Sequence, residues 1–553
     1  MTMGQHTLRS ELRRLVASLL VVRASGYLTD AQRLYPRWES DNATLRALLA
    51  EGVGGVILLG GSAAELRLRT RQLASSSDQQ LLMCADVEEG VGQRFAGASW
   101  LPPPLGVGLI HQRDPSVARE LAHRYGVCTG AEARALGLNW VLGPVCDVNN
   151  NPANPVINVR AWGEQPDVVA ELAEAFIAGV QSQGVLACAK HFPGHGDTAA
   201  DSHLDLPVLP HGRARLEAIE LPPFRRAISS GVASVMTAHL LLPELDPDRP
   251  ATLSPTVLTG LLRHDLHFDG LVVTDALVME AIAARHAPGE AAVLALEAGA
   301  DLVLMPADPW MAIDAIVSAV EDGRLSQERL WCSAERRRAA LERSWGDPDA
   351  AGLDPGLPLG PLTNGPADGD RALADDLLRR TLVRQGETVL WPRQRDGLAL
   401  VRVDNPLGCP FLPPSAPGLV LPRAAGFQPW VVDGQAPLGG PWGEGASTTL
   451  PPWTRVGAME GPVLLQLFVR GNPFRGSASG MEPWAEWIQQ LLAEQRLAAL
   501  VVYGSPYLWQ SLRVGLPDDL PAAWSPGQMP AAQQLVMEQI GLAPVSLEGG
   551  FTD

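Results

Sequence analysis

The stretch "VLACAKHFPGHGDTAADSHLDLP", Val185–Pro207, begins as one kind of sequence and ends as another. Val185–Ala189 is an unbroken apolar run, short and without polar alternation, which predicts a strand covered on both faces. The run stops on Lys190 and His191, and Pro193, Gly194 and Gly196 then break any regular element. Working outward, seven more runs have the same character: "SLLVV", "GGVILL", "QLLMCAD", "NWVLGPVCD", "ASVMTAH", "LVVTDA" and "DLVLMP". Helical stretches such as "DPSVARELAHRYGVCTGAEARALG" and "PDVVAELAEAFIAGVQSQG" lie between them. Strands alternating with helices eight times predict a TIM-like (β/α)8 barrel. Asp86, Asp147, Lys190, His191, His239 and Asp275 all fall at the C-terminal ends of these runs, the face on which barrels of this type build active sites.

The barrel is expected over residues 1–345. A Pro-, Gly- and Asp-rich stretch, "WGDPDAAGLDPGLPLGPLTNGPAD", then predicts a linker over 346–368. The remainder, 369–553, reads as a smaller layered α/β domain, with helices "RALADDLLRRTLV" and "WAEWIQQLLAEQ" and strands "LALVRVD", "VLLQLFV" and "LAALVVYG". Residues 405–460 are rich in Pro, Gly and Trp and are left unassigned.

A net charge of −18 argues against nucleic acid or an anionic membrane as partner. No apolar run reaches membrane-spanning length. Arg23 follows "LRRLVASLLVV" where a signal peptide would place small residues, so that run is expected to be a helix leading into the first strand. The six cysteines form no CxxC pair, and several sit in apolar runs as small buried hydrophobes; a cytoplasmic location fits this usage.

The chain has 11 histidines, and His191, His195 and His203 fall within one loop. Three chemistries want such a loop. A metal could gather all three histidines, although Phe192, Pro193 and Gly194 deny the i, i+4 pair a helix and the HExxH glutamate is absent. A phosphate cradle would need the Gly-x4-Gly-Lys-Ser/Thr pattern, which "GHGDT" lacks. Proton transfer needs a histidine oriented by a carboxylate, and "DSH" supplies Asp201 and His203.

"KHFPGHGDTAADSHLDLP" resembles the signature of bacterial β-N-acetylhexosaminidases of glycoside hydrolase family three. "ADVEEGVGQRF", "GPVCDVNNNPANPVINVRAWG", "VMTAHLLLPELD" and "GLVVTDALVMEAI" resemble further segments of that family in the same order. Val87, Glu89, Val91 and Gly92 depart from its pattern and leave Asp86 and Arg94 in register. The resemblance implies a second domain that is an α/β sandwich, a catalytic nucleophile at Asp275, a general acid/base at His203 and its orienting partner at Asp201. It implies that Asp86, Arg94, Arg160, Lys190 and His191 bind the terminal sugar, and that His195 orders the loop.

The implied reaction is retaining hydrolysis of terminal β-linked N-acetylglucosamine from a carbohydrate substrate, with cell-wall (peptidoglycan) fragments and peptidoglycan recycling as its setting. It needs neither metal nor organic cofactor. Two alternatives stay open: a glycoside phosphorylase, since a histidine acid/base does not repel phosphate as a carboxylate would, and a metal-dependent hydrolase using His191, His195 and His203. The oligomeric state is not legible in the sequence.

Overall fold

The computed structural model describes residues 3–199, 202, 205–345, 368–387, 391, 397–403, 409–433, 461–470 and 484–542. Asp201 and His203 lie outside them, as does the expected linker except for Asp368. The chain divides into two compact units, Met1–Ala374 and Asp375–Asp553.

In the first unit the apolar runs become strands β1 (Leu20–Ser25), β2 (Gly55–Leu59), β3 (Leu82–Ala85), β4 (Trp140–Val141), β5 (Leu186–Phe192), β6 (Ser234–Thr237), β7 (Leu271–Val273) and β8 (Val303–Leu304). They pair in parallel in the order β7-β6-β5-β4-β3-β2-β1-β8. The ring closes through a parallel bridge between Val273 and Leu302, with the Thr274 N–H donating to the Leu302 carbonyl at 3.1 Å. This is the expected eight-stranded barrel.

The strands are buried because both faces are apolar. Leu20, Val56, Leu82, Trp140, Ala187, Val235 and Val272 are each at most 2% exposed, and burying an aliphatic side chain contributes about 1.5–3 kcal/mol. Trp140 fills the interior, and its indole N–H finds Ser234 Oγ at 2.8 Å. Strand β4 is short because Gly143 and Pro144 follow it after a single residue, Leu142. Pro144 has no N–H, but its carbonyl still accepts from Lys190 N at 3.1 Å, so the segment tracks β5 irregularly and delivers Asp147 beside His191.

Helices start where their caps predict. Ser62 and Glu65 form a reciprocal capping box on Ala63–Ser75. Asp114 caps Pro115–Ala135, and Asp308 caps Pro309–Glu321, each with proline at the first helical position. At the N-terminal end of β8, the buried Asp301 carboxylate receives Arg263, Arg329, Arg336 and Ser333, which pins the helix Gln327–Trp345 to the barrel. Cys84, Cys128, Cys146 and Cys188 are buried, and burial pushes the Cys188 thiol up to about 12, which keeps it an inert core residue.

The second unit contains a sheet of β9 (Val383–Gln385), β10 (Gly397–Val403), β11 (Phe427–Asp433), β12 (Val463–Val469), β13 (Leu497–Gly504) and β14 (Ala522–Ser525), in the order β11-β10-β12-β13-β14-β9. All neighbours are parallel except β14 with β9. Helices Pro417–Ala424 and Pro530–Gln539 contribute Leu419, Leu421, Val536 and Met537 to a core with Val401, Leu464 and Val501. This is the layered α/β domain expected there. The unassigned stretch contains β11 and the helix before it; its other residues are described only in part.

Candidate active site

The strand ends place five elements of chemistry on one face of the barrel. Asp86 follows β3, Asp147 lies on the segment after β4, Lys190 and His191 end β5, His239 follows β6 and Asp275 follows β7.

The first cluster joins β3, β5 and the turn at Asn158–Arg160. Lys190 Nζ donates to Asp86 Oδ1 and to Glu88 Oε1, both at 2.7 Å. Arg160 reaches Glu88 through Nε and Nη2, each at 2.8 Å, and the Val156 carbonyl at 3.2 Å. The Lys190 side chain is 2% exposed and that of Glu88 3%, whereas Asp86 keeps 36% of its side chain open. Burial pushes the Lys190 ammonium down, but Asp86 and Glu88 outweigh it and hold its pKa above the ordinary value. Arg160 is held up in the same way against its own burial by Glu88. Burial pushes the Glu88 carboxyl up, and Arg160 and Lys190 pull it well below the usual range. The three groups are therefore ionised and paired, and the accessible carboxylate among their partners is Asp86. Arg94 is exposed, and its Nε donates to the backbone carbonyl of Asp86 at 2.9 Å.

The second cluster is organised by Asp147, which is fully buried. It accepts from His191 Nδ1 at 2.8 Å, from the His191 backbone N–H at 3.2 Å and from the His195 backbone N–H at 2.7 Å. Burial pushes its carboxyl up, but His191, His195 and these hydrogen bonds carry the pKa below the ordinary value. A carboxylate only accepts, so His191 Nδ1 carries a proton and donates it to Asp147, which fixes the plane of the ring.

His195 is buried, and its Nδ1 meets Thr198 Oγ1 at 2.7 Å while its Nε2 meets Ser202 Oγ at 3.1 Å. Burial pushes its pKa down to about 4, so the ring is neutral at pH 7. Both ring nitrogens are engaged by hydroxyls, so His195 ties Thr198 and Ser202, two points of its own loop, together. Ser202 is the described residue between Asp201 and His203, and it is 2% exposed.

The loop that carries Ser202 is fixed at its base. Asn154 Nδ2 donates to the carbonyls of His195 and Gly196 at 2.8 and 2.9 Å. Asp197 pairs with His211 at 2.8 Å and with Arg215 at 3.1 Å, and Arg215 also reaches Glu220 at 3.1 Å. Asp197, His211 and Glu220 have metal-ligand chemistry and spacing, but the guanidinium of Arg215 already supplies the positive charge there. Only glycine fits at 196, because a Cβ would stand 1.8 Å from the Val148 carbonyl oxygen.

The third element surrounds Asp275, which is half-buried and whose Oδ1 accepts the Ala276 N–H at 2.7 Å. His239 Nε2 lies 3.0 Å from the Ala276 carbonyl, so it carries the proton and braces the backbone next to Asp275 from the core side. Its Nδ1 meets Thr252 Oγ1 at 2.8 Å.

The structure thus brings Asp86, Arg160 and Lys190 together, sets His191 on Asp147, and places Arg94 against the Asp86 backbone. Asp147 and His239 stand on the barrel face expected of them, and Glu88, which links Arg160 to Lys190, is a member of the site that the sequence analysis does not name. A signal for Glu88 was present, since it matches the pattern that "ADVEEGVGQRF" resembles.

Residues 11–338 match the model of the glycosyl hydrolase family 3 N-terminal domain. Residues 392–541 match that of the bacterial glycosyl hydrolase family 3 C-terminal domain. A protein of Nitrosomonas eutropha named β-hexosaminidase is 37% identical over 287 residues, which cover 50% of this chain and 82% of that one. Among solved structures, a glycoside hydrolase family 3 β-N-acetylglucosaminidase from a Paenibacillus species superposes with a TM-score of 0.75 at 29% identity and 97% coverage of both chains. NagZ from Neisseria gonorrhoeae, in complex with N-trifluoroacetyl-D-glucosamine, gives a TM-score of 0.50 at 28% identity, covering 65% of this chain and 97% of that one.

Proposed function

Because this chain belongs to glycosyl hydrolase family 3 in both of its domains, we propose that its glycosidase activity is the release of terminal β-linked N-acetylglucosamine with retention of configuration. The observation that carries this reading is the hydrogen-bonded Asp86–Lys190–Glu88–Arg160 cluster on the same barrel face as Asp275. Such a cluster presents fixed donors and one accessible carboxylate to the hydroxyls of a sugar, beside a carboxylate placed to react. His191 and Arg94 complete the set that holds the terminal sugar.

Retaining glycosidases use two groups, one to attack and one to move protons. Here an Asp275 oxygen attacks the anomeric carbon as the glycosidic C–O bond breaks, and His203 gives its proton to the departing oxygen. The result is a covalent glycosyl-enzyme on Asp275. Neutral His203 then removes a proton from water, whose oxygen attacks the same carbon and frees the carboxylate. Asp201 orients His203 and raises its basicity. This chemistry engages no cofactor and no metal.

We place the aglycone among cell-wall (peptidoglycan) fragments recycled in the cytoplasm, a setting supported by the family resemblance. Among the described residues no helix is long and apolar enough to cross a membrane.

The test is a panel of aryl β-glycosides with and without the 2-acetamido group, assayed with and without phosphate, with products identified by NMR. The expected result is cleavage that depends on the acetamido group and gives free β-N-acetylglucosamine first. Formation of N-acetylglucosamine 1-phosphate in phosphate buffer would make the protein a phosphorylase instead.

A further inference from the structure

A cleft of about 220 Å³ opens over the C-terminal ends of β1 and β8, lined by Arg23, Arg37, Trp38, Glu39, Val278 and Met305 among others. Its volume is below the roughly 300–1,000 Å³ of sites for drug-sized ligands and suits a single ring.

Its place in the barrel is set by the strand order. In a ring of eight, β1 stands opposite β5 and β8 opposite β4. The cleft therefore lies across the mouth of the barrel from Lys190 on β5, and two strands away from Asp86 and Glu88 after β3. Asp275, at the end of β7, lies next to it; Val278, three residues further on, is one of its walls.

The lining is built. Glu39 has a side chain that is 0% exposed, and its Oε1 lies 3.7 Å from Arg23 Nη2. Its Oε2 accepts the Tyr35 N–H at 3.1 Å. Glu39 is thus the buried anion facing Arg23, whose side chain is only 15% exposed. Burial pushes the Arg23 pKa down, against Glu39 and Asp86, which hold it up, so Arg23 lies within the field of the sugar-binding carboxylate as well. Arg23 Nε has no hydrogen-bond partner among the described residues, and a buried donor without an acceptor costs about 1–3 kcal/mol. Half-buried Trp38 adds an aromatic surface, with Arg37 at 5.8 Å from its ring and Tyr35 at 6.0 Å. Nε is closed off from the cleft, so a ligand meets the part of the Arg23 side chain that stays open; a guanidinium beside an indole is the chemistry that recognises a pyranose, whose oxygens accept and whose C–H face is apolar.

We propose that this cleft is the subsite for the first sugar of the aglycone, with Arg23 donating to its ring oxygen and hydroxyls, Trp38 packing against the ring, and Glu39 positioning Arg23. The proposal rests on the glycosidase reading above, because it assigns the cleft to the leaving half of that substrate. A terminal sugar held at β3 and β5 then has its aglycone across the mouth, and binding energy gained there is available to orient the scissile bond.

The experiment compares two substrates of the full-length protein. N-acetyl-β-D-glucosaminyl fluoride has no aglycone ring and reads the terminal-sugar site alone; the β-1,4-linked disaccharide of N-acetylglucosamine reads both sites. Trp38→Ala, and separately the double change Arg23→Met with Glu39→Gln, which avoids leaving a buried carboxylate unpaired, are assayed on each. The expected result is a rise of at least tenfold in the disaccharide KM relative to the fluoride KM in both variants. Equal effects on the two substrates, or none on either, would overturn the subsite while leaving the glycosidase reading standing. A wild-type protein that cleaves neither substrate would overturn the glycosidase reading itself, and the subsite with it.

Discussion

Glu88 receives Arg160 through two parallel hydrogen bonds, Nε to Oε2 and Nη2 to Oε1, each 2.8 Å long. The fork fixes a guanidinium from the turn at Asn158–Arg160 against the loop after β3, and the same carboxylate takes Lys190 from β5 at 2.7 Å. One buried anion thereby aligns two cations, and Asp86 is left as the more exposed carboxylate of the cluster.

Glu88→Gln keeps the shape of the side chain and removes its charge, so an amide N–H faces Arg160 or Lys190 in place of an acceptor. Breaking a buried ion pair by removing one partner costs about 3–5 kcal/mol. We expect a urea unfolding midpoint lowered to match and a KM for the terminal sugar raised at least tenfold. Unchanged stability and KM would show that the fork is dispensable to both.

His195 gives a pH signature of its own. Its pKa is pushed from 6.5 down to about 4 by burial, so the unfolded chain takes up this proton more readily than the folded one. The stability that depends on the neutral ring is therefore complete above pH 6.5 and is lost on acidification through about pH 4. The shift corresponds to roughly 3 kcal/mol at 1.36 kcal/mol per pKa unit. Urea midpoints measured across this window should fall less steeply for His195→Gln than for wild type. Parallel slopes would place the acid sensitivity elsewhere.

Asp275→Asn should leave the fold intact, because the hydrogen bond accepted from the Ala276 N–H survives on the amide oxygen, yet abolish turnover, because an amide does not attack the anomeric carbon. Circular dichroism and kcat check the two halves. Activity near the wild-type level would remove Asp275 from the nucleophile role.

His203→Ala should depend on the leaving group. General acid–base assistance is typically worth about 10²–10⁴-fold, and a sugar alkoxide needs the proton while a dinitrophenolate does not. Natural glycosides should slow far more than the glycosylation step of activated aryl glycosides. The glycosyl-enzyme should then accumulate, and azide should release it as a β-glycosyl azide. Equal slowing of both substrates without that product would assign the proton transfer to another group.

The barrel is legible because each strand is buried on both faces, so an unbroken apolar run is both its signal and its cause. Where that relation fails, the reading fails. Strand β11 carries Gln428 and Pro429, and it exists because it lies at the sheet edge, where proline's missing N–H can face away from the sheet. Strand β14, Ala522–Ser525, reads Ala-Ala-Trp-Ser and so lacks the β-branched and aliphatic run that marks the barrel strands.

For the site, sequence fixes which side chains end the barrel strands: Asp86, Lys190, His191 and Asp275 stand at the rim because the chain leaves each strand there. Which of them meet is another matter. The bond from Lys190 to Asp86 spans 104 positions, from Arg160 to Glu88 72 and from His191 to Asp147 44. No local pattern encodes a contact of that separation. It forms only when the closed ring brings β3, β4 and β5 side by side, and burial then makes pairing obligatory, since a charge withdrawn from water must find its opposite.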